Sequence, residues 1–234
     1  MVTTPRPVSL NRRWLIWGIT TLLMILYVGA ARIESHPVGG KLKLTPGTEI
    51  ELSLFRLFDN PLRMGLDFKR EGCRDRPELG TWQGPPDRDG LLKLVPGANV
   101  RIAASTEGQQ PIVFDAMPMS AHNCESLWRD LTTNLAVGPG LYRWPPPPDM
   151  PELALHRGFN RVHLKVLQVD PPIIDETVEL YALAALGFKN VRPNVFWLWY
   201  AFFLETIFEV TQSVWLLLLL WWTWSSWRKR QLRA

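Results

Sequence analysis

Residues 195–227 have the sequence VFWLWYAFFLETIFEVTQSVWLLLLLWWTWSSW, and the basic residues 228–230 follow directly. Within this stretch, residues 210–227 carry no charge. An uncharged run of this length is typical of a helix that crosses a bilayer, and basic flanking residues mark its cytoplasmic side. The sequence therefore predicts a transmembrane helix at 195–227 and a basic cytoplasmic tail at 228–234.

A helix over residues 195–227 is longer than the bilayer is thick. It would extend about 50 Å, against a hydrocarbon core of about 30 Å. We place the core near residues 208–227, which makes the first part of the stretch an outer interfacial extension. Tryptophan side chains favour the membrane interface. Six of them are candidate interface anchors, two on the outer side and four on the inner side: Trp197 and Trp199, then Trp221, Trp222, Trp224 and Trp227.

Three polar side chains interrupt this apolar helix. Glu205, Glu209 and Gln212 recur at spacings that place them on one helix face. A carboxylate inside lipid costs a few kcal/mol unless it is paired or neutralised. The stripe therefore predicts contact with another helix, either the chain's own first hydrophobic segment, where Thr20 and Thr21 are candidate partners, or a second protein. The alternative is that both carboxylates lie in water at the outer surface.

A first hydrophobic segment occupies residues 14–31, after a basic tail at 1–13. Its 18 uncharged residues are just long enough to span a membrane as a signal anchor. The small residues 28–30 also resemble a signal-peptide cleavage site, so a cleaved signal peptide is the alternative. Trp14 and Trp17 favour the anchor, because tryptophan is enriched at membrane interfaces. Both interpretations export the chain that follows.

The positive charge is concentrated at the two ends of the chain. Seven of the 26 basic residues lie in residues 1–13 and 228–234, which contain no acidic residue, and this leaves 19 basic against 22 acidic residues in between. Such placement argues against nucleic acid as a partner. With an uncleaved anchor, it predicts a two-pass protein with both termini in the cytoplasm and residues 32–194 exported.

The exported segment is predicted to be mainly β. Polar and apolar residues alternate in several short stretches bounded by glycine and proline, as in half-buried strands. These stretches are 49–54, 66–69 and 161–166. Residues 91–95 and 100–104 look like two more strands joined by a turn, and 112–114 is a short apolar run. Short strands separated by turns predict an antiparallel, sandwich-like domain or a related barrel between two hydrophobic membrane helices.

Four further segments have less regular patterns. A short helix is predicted between residues 123 and 138, because four apolar side chains recur there at helical spacing. They are Leu127, Trp128, Leu131 and Leu135. Residues 178–186 suit a strand or a helix, and residues 35–40 suit a flexible exit from the membrane. The proline run at 144–148 suits a stiff connector, and a docking ligand for a partner is the alternative.

Both cysteines, Cys73 and Cys124, fall in the exported segment. In an oxidising compartment an even number of cysteines predicts a disulfide, with two separate buried thiols as the alternative. His122 stands beside Cys124, but two side chains are too few for a metal site. We therefore expect no metal.

No contiguous catalytic or cofactor-binding motif is present, neither a nucleophile elbow, a phosphate-binding loop, a dinucleotide fingerprint nor a zinc-protease signature. We therefore identify no catalytic residue and expect no cofactor. The absence of an Asn-x-Ser/Thr site from the exported part favours a bacterial inner membrane with a periplasmic domain.

These observations favour an interaction subunit or accessory factor of a membrane complex, held in the lipid bilayer beside a membrane-protein partner. The alternatives are a ligand-binding or sensing module on the outer face and, less favoured, an envelope hydrolase. The sequence is also compatible with a homo-oligomer.

Overall fold

The computed structural model describes residues 10–84, 87–118, 121–133, 136–138, 140–143, 150–183 and 196–232. The chain forms two compact units. The helical unit consists of residues 1–32 and 196–234, and the β unit consists of residues 33–195.

The helical unit contains α2 (Phe196–Gln231) and the long helix α1 (Leu10–Ser35) up to Arg32, and the last turn of α1 belongs to the β unit. Both are long and apolar enough to cross a membrane. They flank the β unit in the sequence, as the hydropathy pattern predicts. Each helix extends past its predicted segment, because α1 begins before residue 14 and α2 continues into the basic tail.

The β unit contains fifteen strands within the described residues. They are β1 (Val38–Lys43), β2 (Glu49–Arg56), β3 (Asn60–Pro61), β4 (Arg63–Lys69), β5 (Thr81–Trp82), β6 (Leu91–Val95), β7 (Val100–Thr106), β8 (Ile112–Ala116), β9 (Ala121–His122), β10 (Ser126–Thr132), β11 (Ala136–Gly138), β12 (Leu141–Arg143), β13 (Ala154–Leu155), β14 (Gly158–Val169) and β15 (Thr177–Leu183).

The main sheet curls into a nearly closed antiparallel barrel. Its strand order is β1-β15-β4-β10-β8-β7-β14-β2, and β9 pairs with β10. The two outer strands approach each other closely, because a Cβ atom on Gly40 of β1 would lie 2.7 Å from Ile50 Cδ1 of β2. A smaller sheet has the order β11-β12-β6-β5, and β13 pairs with β3. The predicted antiparallel β domain is present, and its form is a barrel rather than a sandwich.

The barrel interior is filled by aliphatic side chains from alternate strand positions. In β14, for example, Val162, Leu164 and Val166 are buried, whereas the residues between them are exposed. The three alternating stretches, the two further strands predicted at 91–95 and 100–104, and the apolar run at 112–114 all lie in strands of the structure. The sequence left residues 178–186 ambiguous, and those up to residue 183 form β15. Residues 184–186 and the connector at 144–148 lie outside the described residues.

The predicted helix between residues 123 and 138 is wrong. Its central part is strand β10, which pairs with β4 and with β8. Leu127, Arg129 and Leu131 point into the barrel and are buried. The polar–apolar alternation of β10 is not apparent in the sequence, because its inward position 129 is occupied by a charged arginine and not by an apolar residue.

The predicted flexible exit at residues 35–40 is also wrong. Helix α1 continues to Ser35, and strand β1 begins at Val38. The glycines serve close packing instead, since a Cβ atom on Gly39 would lie 2.7 Å from the Tyr181 ring. Glycine in a strand often marks such an approach of a neighbouring group.

The barrel has two distinct ends. At the helix end, β1 begins, β15 ends, and β2 passes into β3 through residues 57–59. At the opposite, disulfide end, the chain after β4 and the chain before β10 meet through Cys73 and Cys124.

Candidate functional site

Helices α1 and α2 pack against each other in antiparallel orientation along one seam. Buried or partly buried positions recur at alternating spacings of three and four residues on both helices. On α2 they are Ala201, Glu205, Phe208, Gln212, Trp215, Leu219, Trp222 and Ser226, and on α1 they are Trp14, Trp17, Thr21, Met24, Val28 and Ala31. An average period of 3.5 residues is typical of coiled-coil packing.

Two members of the polar stripe lie in this seam and contact α1. Glu205 forms an ion pair with Arg32. The Thr21 hydroxyl lies 3.0 Å from Gln212 Oε1, and the Trp17 indole N–H lies 3.4 Å from the Gln212 carbonyl oxygen. Thr20, by contrast, bonds only carbonyl oxygens of its own helix, those of Ile16 and Trp17.

Glu209 lies beside the seam and is exposed. Its carboxylate forms no hydrogen bond or ion pair with any residue that the structure describes. Phe202, seven residues earlier on the same side of α2, is exposed as well, as is the adjacent Val210. The stripe is therefore divided, with two polar groups turned to α1 and one carboxylate on an apolar outer face.

The candidate interface tryptophans lie near the two ends of α2. Trp197 accepts a hydrogen bond at its carbonyl oxygen from the Tyr27 hydroxyl, at 2.7 Å. Near the other end, the Arg13 guanidinium lies 4.4 Å from the Trp222 ring centre, and the Trp14 indole donates to the Thr223 hydroxyl at 3.1 Å. The Arg228 guanidinium lies 5.6 Å from the Trp224 ring centre, and the Trp199 ring stacks on Phe203 at 5.6 Å. Trp221 and Trp227 are exposed.

In the β unit, Cys73 and Cys124 form a disulfide. Arg70 bridges the two connected segments, because its guanidinium donates to the carbonyl oxygens of Cys73 at 2.7 Å and of Asn123 at 2.9 Å. Arg76 donates two parallel hydrogen bonds to Glu176, at 2.7 and 2.8 Å, and these bonds raise the pKa of the arginine. The disulfide end is thus tied together by covalent and charged contacts.

Two arginines lie inside the barrel, and the sequence did not identify either of them. Each is only 1% exposed. The Arg129 guanidinium donates to three carbonyl oxygens, those of Met117 at 2.7 Å and of Ala98 and Ala116 at 2.8 Å. Burial lowers the pKa of Arg129 to about 10, which still leaves the group charged at neutral pH.

Arg56 is satisfied less completely. Its Nη1 donates to the carbonyl oxygens of Phe55 at 3.2 Å and of His36 at 3.4 Å, and its Nη2 has no partner among the described residues. Burial lowers the pKa of Arg56, and the nearby Glu34 carboxylate partly offsets this effect. Both arginines serve the barrel's structure, since each donates to backbone carbonyl oxygens of the β unit.

A groove of about 500 Å³ lies on the outer face of β2, β14 and β7. Its charged side chains pair with one another: Lys165 with Glu49 at 2.8 Å, and His163 with Glu51 at 3.3 Å. A ligand site usually presents polar groups that converge on an empty centre, whereas the charged groups of this groove bond one another. Among the described residues, no cluster of three or more His, Cys, Asp or Glu side chains could hold a metal ion.

Comparisons with protein-family models, with curated proteins and with solved structures found no match for this chain. Two apolar helices on either side of a β-barrel domain are compatible with a two-pass membrane protein.

Proposed function

We propose that this protein is a subunit or accessory factor of a membrane complex. Its two helices anchor it in a bacterial inner membrane, both termini lie in the cytoplasm, and the barrel is exported to the periplasm. The complex forms in part through the outer face of α2 around Glu209. A partner helix supplies a hydrogen-bond donor or a cation to this carboxylate.

The two-pass arrangement is supported by the distribution of charge. Basic residues without acidic neighbours flank the outer ends of both helices, in residues 1–13 and 228–234. Positive charge of this kind sets the cytoplasmic side of membrane helices. The disulfide between Cys73 and Cys124 agrees with an oxidising compartment for the barrel.

The observation that carries the proposal is the isolation of Glu209. The seam already gives Glu205 and Gln212 partners on α1, so the chain satisfies its other polar groups at this depth by itself. Glu209 is exposed just inside the outer boundary of the proposed span. An unpaired carboxylate facing lipid costs about 3 kcal/mol, which a partner helix would relieve.

The test is purification of the full chain from native membranes in mild detergent, followed by identification of stoichiometric partners. We expect Glu209→Leu to lose the partner while the protein stays in the membrane fraction. Thr211→Leu is the matched control, because Thr211 is exposed on the other side of α2 and its hydroxyl already bonds the Ile207 carbonyl oxygen at 2.7 Å.

Retention of the partner by Glu209→Leu would contradict the role of this face. A protein that purifies alone would contradict the subunit function altogether. Self-association lost in Glu209→Leu would identify the partner as a second copy of the chain.

A further inference from the structure

Three phenylalanine side chains are exposed at the helix end of the barrel. Phe55 is 37% exposed, Phe58 49% and Phe159 89%. Phe55 and Phe159 are opposite each other on β2 and β14, with ring centres 5.0 Å apart. The other phenylalanines that the structure describes in the β unit, Phe68 and Phe114, are buried. The exposed rings are therefore gathered at one end of the barrel.

This cluster is tied, within the β unit, to the last turn of α1. The Glu34 carboxylate is fully buried and accepts a hydrogen bond from the Leu57 backbone N–H at 2.6 Å. It also accepts one from the Asn60 side-chain amide. Phe58 lies between these two donors in the sequence. Glu34 stands two residues beyond Arg32, where the uncharged run of the first segment ends.

These connections limit how far the rings can lie from the end of the apolar run. Two helical residues separate Arg32 from Glu34, a rise of about 3 Å. Phe55 is two strand residues from Leu57, about 7 Å along β2. The headgroup layer on each side of a bilayer is roughly 5–8 Å thick, the difference between its total and hydrocarbon thickness. The two steps together come to about 10 Å, so if α1 spans the membrane as proposed, Phe58, next to Leu57, lies nearest that layer and the rings of Phe55 and Phe159 reach its outer edge.

The charges around the cluster also suit a lipid surface. Arg157 and Arg161 lie two residues before and after Phe159, and both are exposed. The contact of Arg161 with Glu51 is long, at 3.9 Å, so its guanidinium is available to other anions. Aromatic rings beside basic side chains are typical of protein surfaces that contact the phosphate and upper acyl region of a membrane.

We propose that Phe55, Phe58 and Phe159 form a lipid-contact surface that inserts into the headgroup layer of the bilayer. The flanking arginines contact lipid phosphates. This inference depends on the proposed anchoring of the chain by α1 and α2. It adds a second membrane contact, made by the exported barrel itself.

The test uses the full chain, with its disulfide intact, in vesicles of phosphatidylethanolamine and phosphatidylglycerol. One cysteine is introduced at a time and labelled with an environment-sensitive fluorophore without reductant. The positions are Phe159→Cys in the cluster, Glu71→Cys at the disulfide end and Val214→Cys on the exposed apolar surface of α2. A lipid carrying a nitroxide just below its headgroup serves as the quencher.

We expect a blue-shifted emission at position 159, with quenching several-fold stronger than at position 71. Phe159 is the most exposed of the three rings, so its replacement leaves the barrel core intact. Quenching at position 214 but not at 159 would overturn the lipid-contact surface while leaving the membrane anchors in place. Absence of quenching at both positions would overturn the proposed anchoring as well. Equal quenching at 71 and 159 would also overturn the inference, because it would show no preference for this end.

Discussion

The two ends of the barrel are built differently. At the disulfide end, Cys73 and Cys124 are joined covalently, and Arg129 has three short hydrogen bonds to backbone carbonyl oxygens. At the helix end, the Nη2 of Arg56 is buried without a partner, and Phe159 is almost fully exposed. Asp67 Oδ1, near the disulfide end, is also buried without a partner among the described residues, so the ends differ chiefly in the covalent link of one and the exposed aromatic rings of the other.

This difference bears on which end of the barrel contacts another component. A buried polar group without a partner costs about 1–3 kcal/mol, and an exposed aromatic ring forgoes the gain of burial. Such costs are expected at a surface that meets another component. The exposed rings therefore support the proposed lipid contact at the helix end.

The largest expected effect is loss of the disulfide. Replacing both Cys73 and Cys124 by serine reopens a segment with a sequence separation of 51 residues. In the chain-entropy model this lowers the free energy of unfolding by about 4 kcal/mol. Chemical unfolding in mild detergent measures the loss, and hydrogen exchange should locate it at the disulfide end. An unchanged stability would mean that the other contacts alone hold that end together.

The next effect compares the two buried arginines. Arg129→Lys retains the charge but replaces three donor nitrogens by one, so about two hydrogen bonds are lost, for a cost of about 3 kcal/mol. Arg56→Lys is the matched variant, because both bonds of Arg56 come from Nη1 alone and a lysine Nζ can replace it. We expect it to cost less than about 1 kcal/mol. Equal losses in thermal unfolding of the two variants would remove the distinction between the ends.

A smaller effect involves Asp67 on β4, which lies opposite Glu179 on β15. Burial, reinforced by the Glu179 charge, raises the pKa of Asp67 above its ordinary value of 3.8, although a hydrogen bond from Ser126 opposes this. The folded state therefore binds the proton more tightly than the unfolded state. The corresponding contribution to stability is greatest below pH 3.8 and is lost as the pH rises through the folded-state pKa.

Asp67→Asn should consequently stabilise the protein at pH 7. The gain should be up to about 1 kcal/mol, the usual cost of like charges opposite each other on neighbouring strands. Below about pH 3.8 the variant and the natural chain should unfold alike. Unfolding curves at neutral and acidic pH measure this difference. A variant that is less stable at pH 7 would show that the charged form of Asp67 is favoured.

The sequence predicted the regular strands because alternation is a local property. It missed β10, where the inward Arg129 interrupts the apolar face, and it missed β1, where Gly39 accommodates the Tyr181 ring. In both strands the explanation depends on a neighbour that is distant in the sequence. The buried arginines were missed for the same reason, since all three carbonyl partners of Arg129 and one of the two partners of Arg56 lie outside their own strands.

The polar stripe shows which part of a helix–helix contact can be predicted from the spacing of residues in the sequence. The spacing of Glu205, Glu209 and Gln212 predicts a shared face, and the structure places the first and third residues in the seam. Glu209 falls beside it, because two packed helices select positions at an average period of 3.5 residues. The pairing of Phe55 with Phe159 could not be predicted either, since it requires the register between β2 and β14.

The most direct test of the account is the sidedness of the full chain. Single cysteines at Asn11, Glu71 and Gln231, with the native disulfide intact, are exposed to a membrane-impermeant thiol reagent in bacterial spheroplasts. The account predicts that Glu71→Cys is labelled in intact spheroplasts, and that Asn11→Cys and Gln231→Cys are labelled only after permeabilisation. Labelling of either terminal position without permeabilisation, or protection of position 71, would contradict a two-pass protein with an exported barrel.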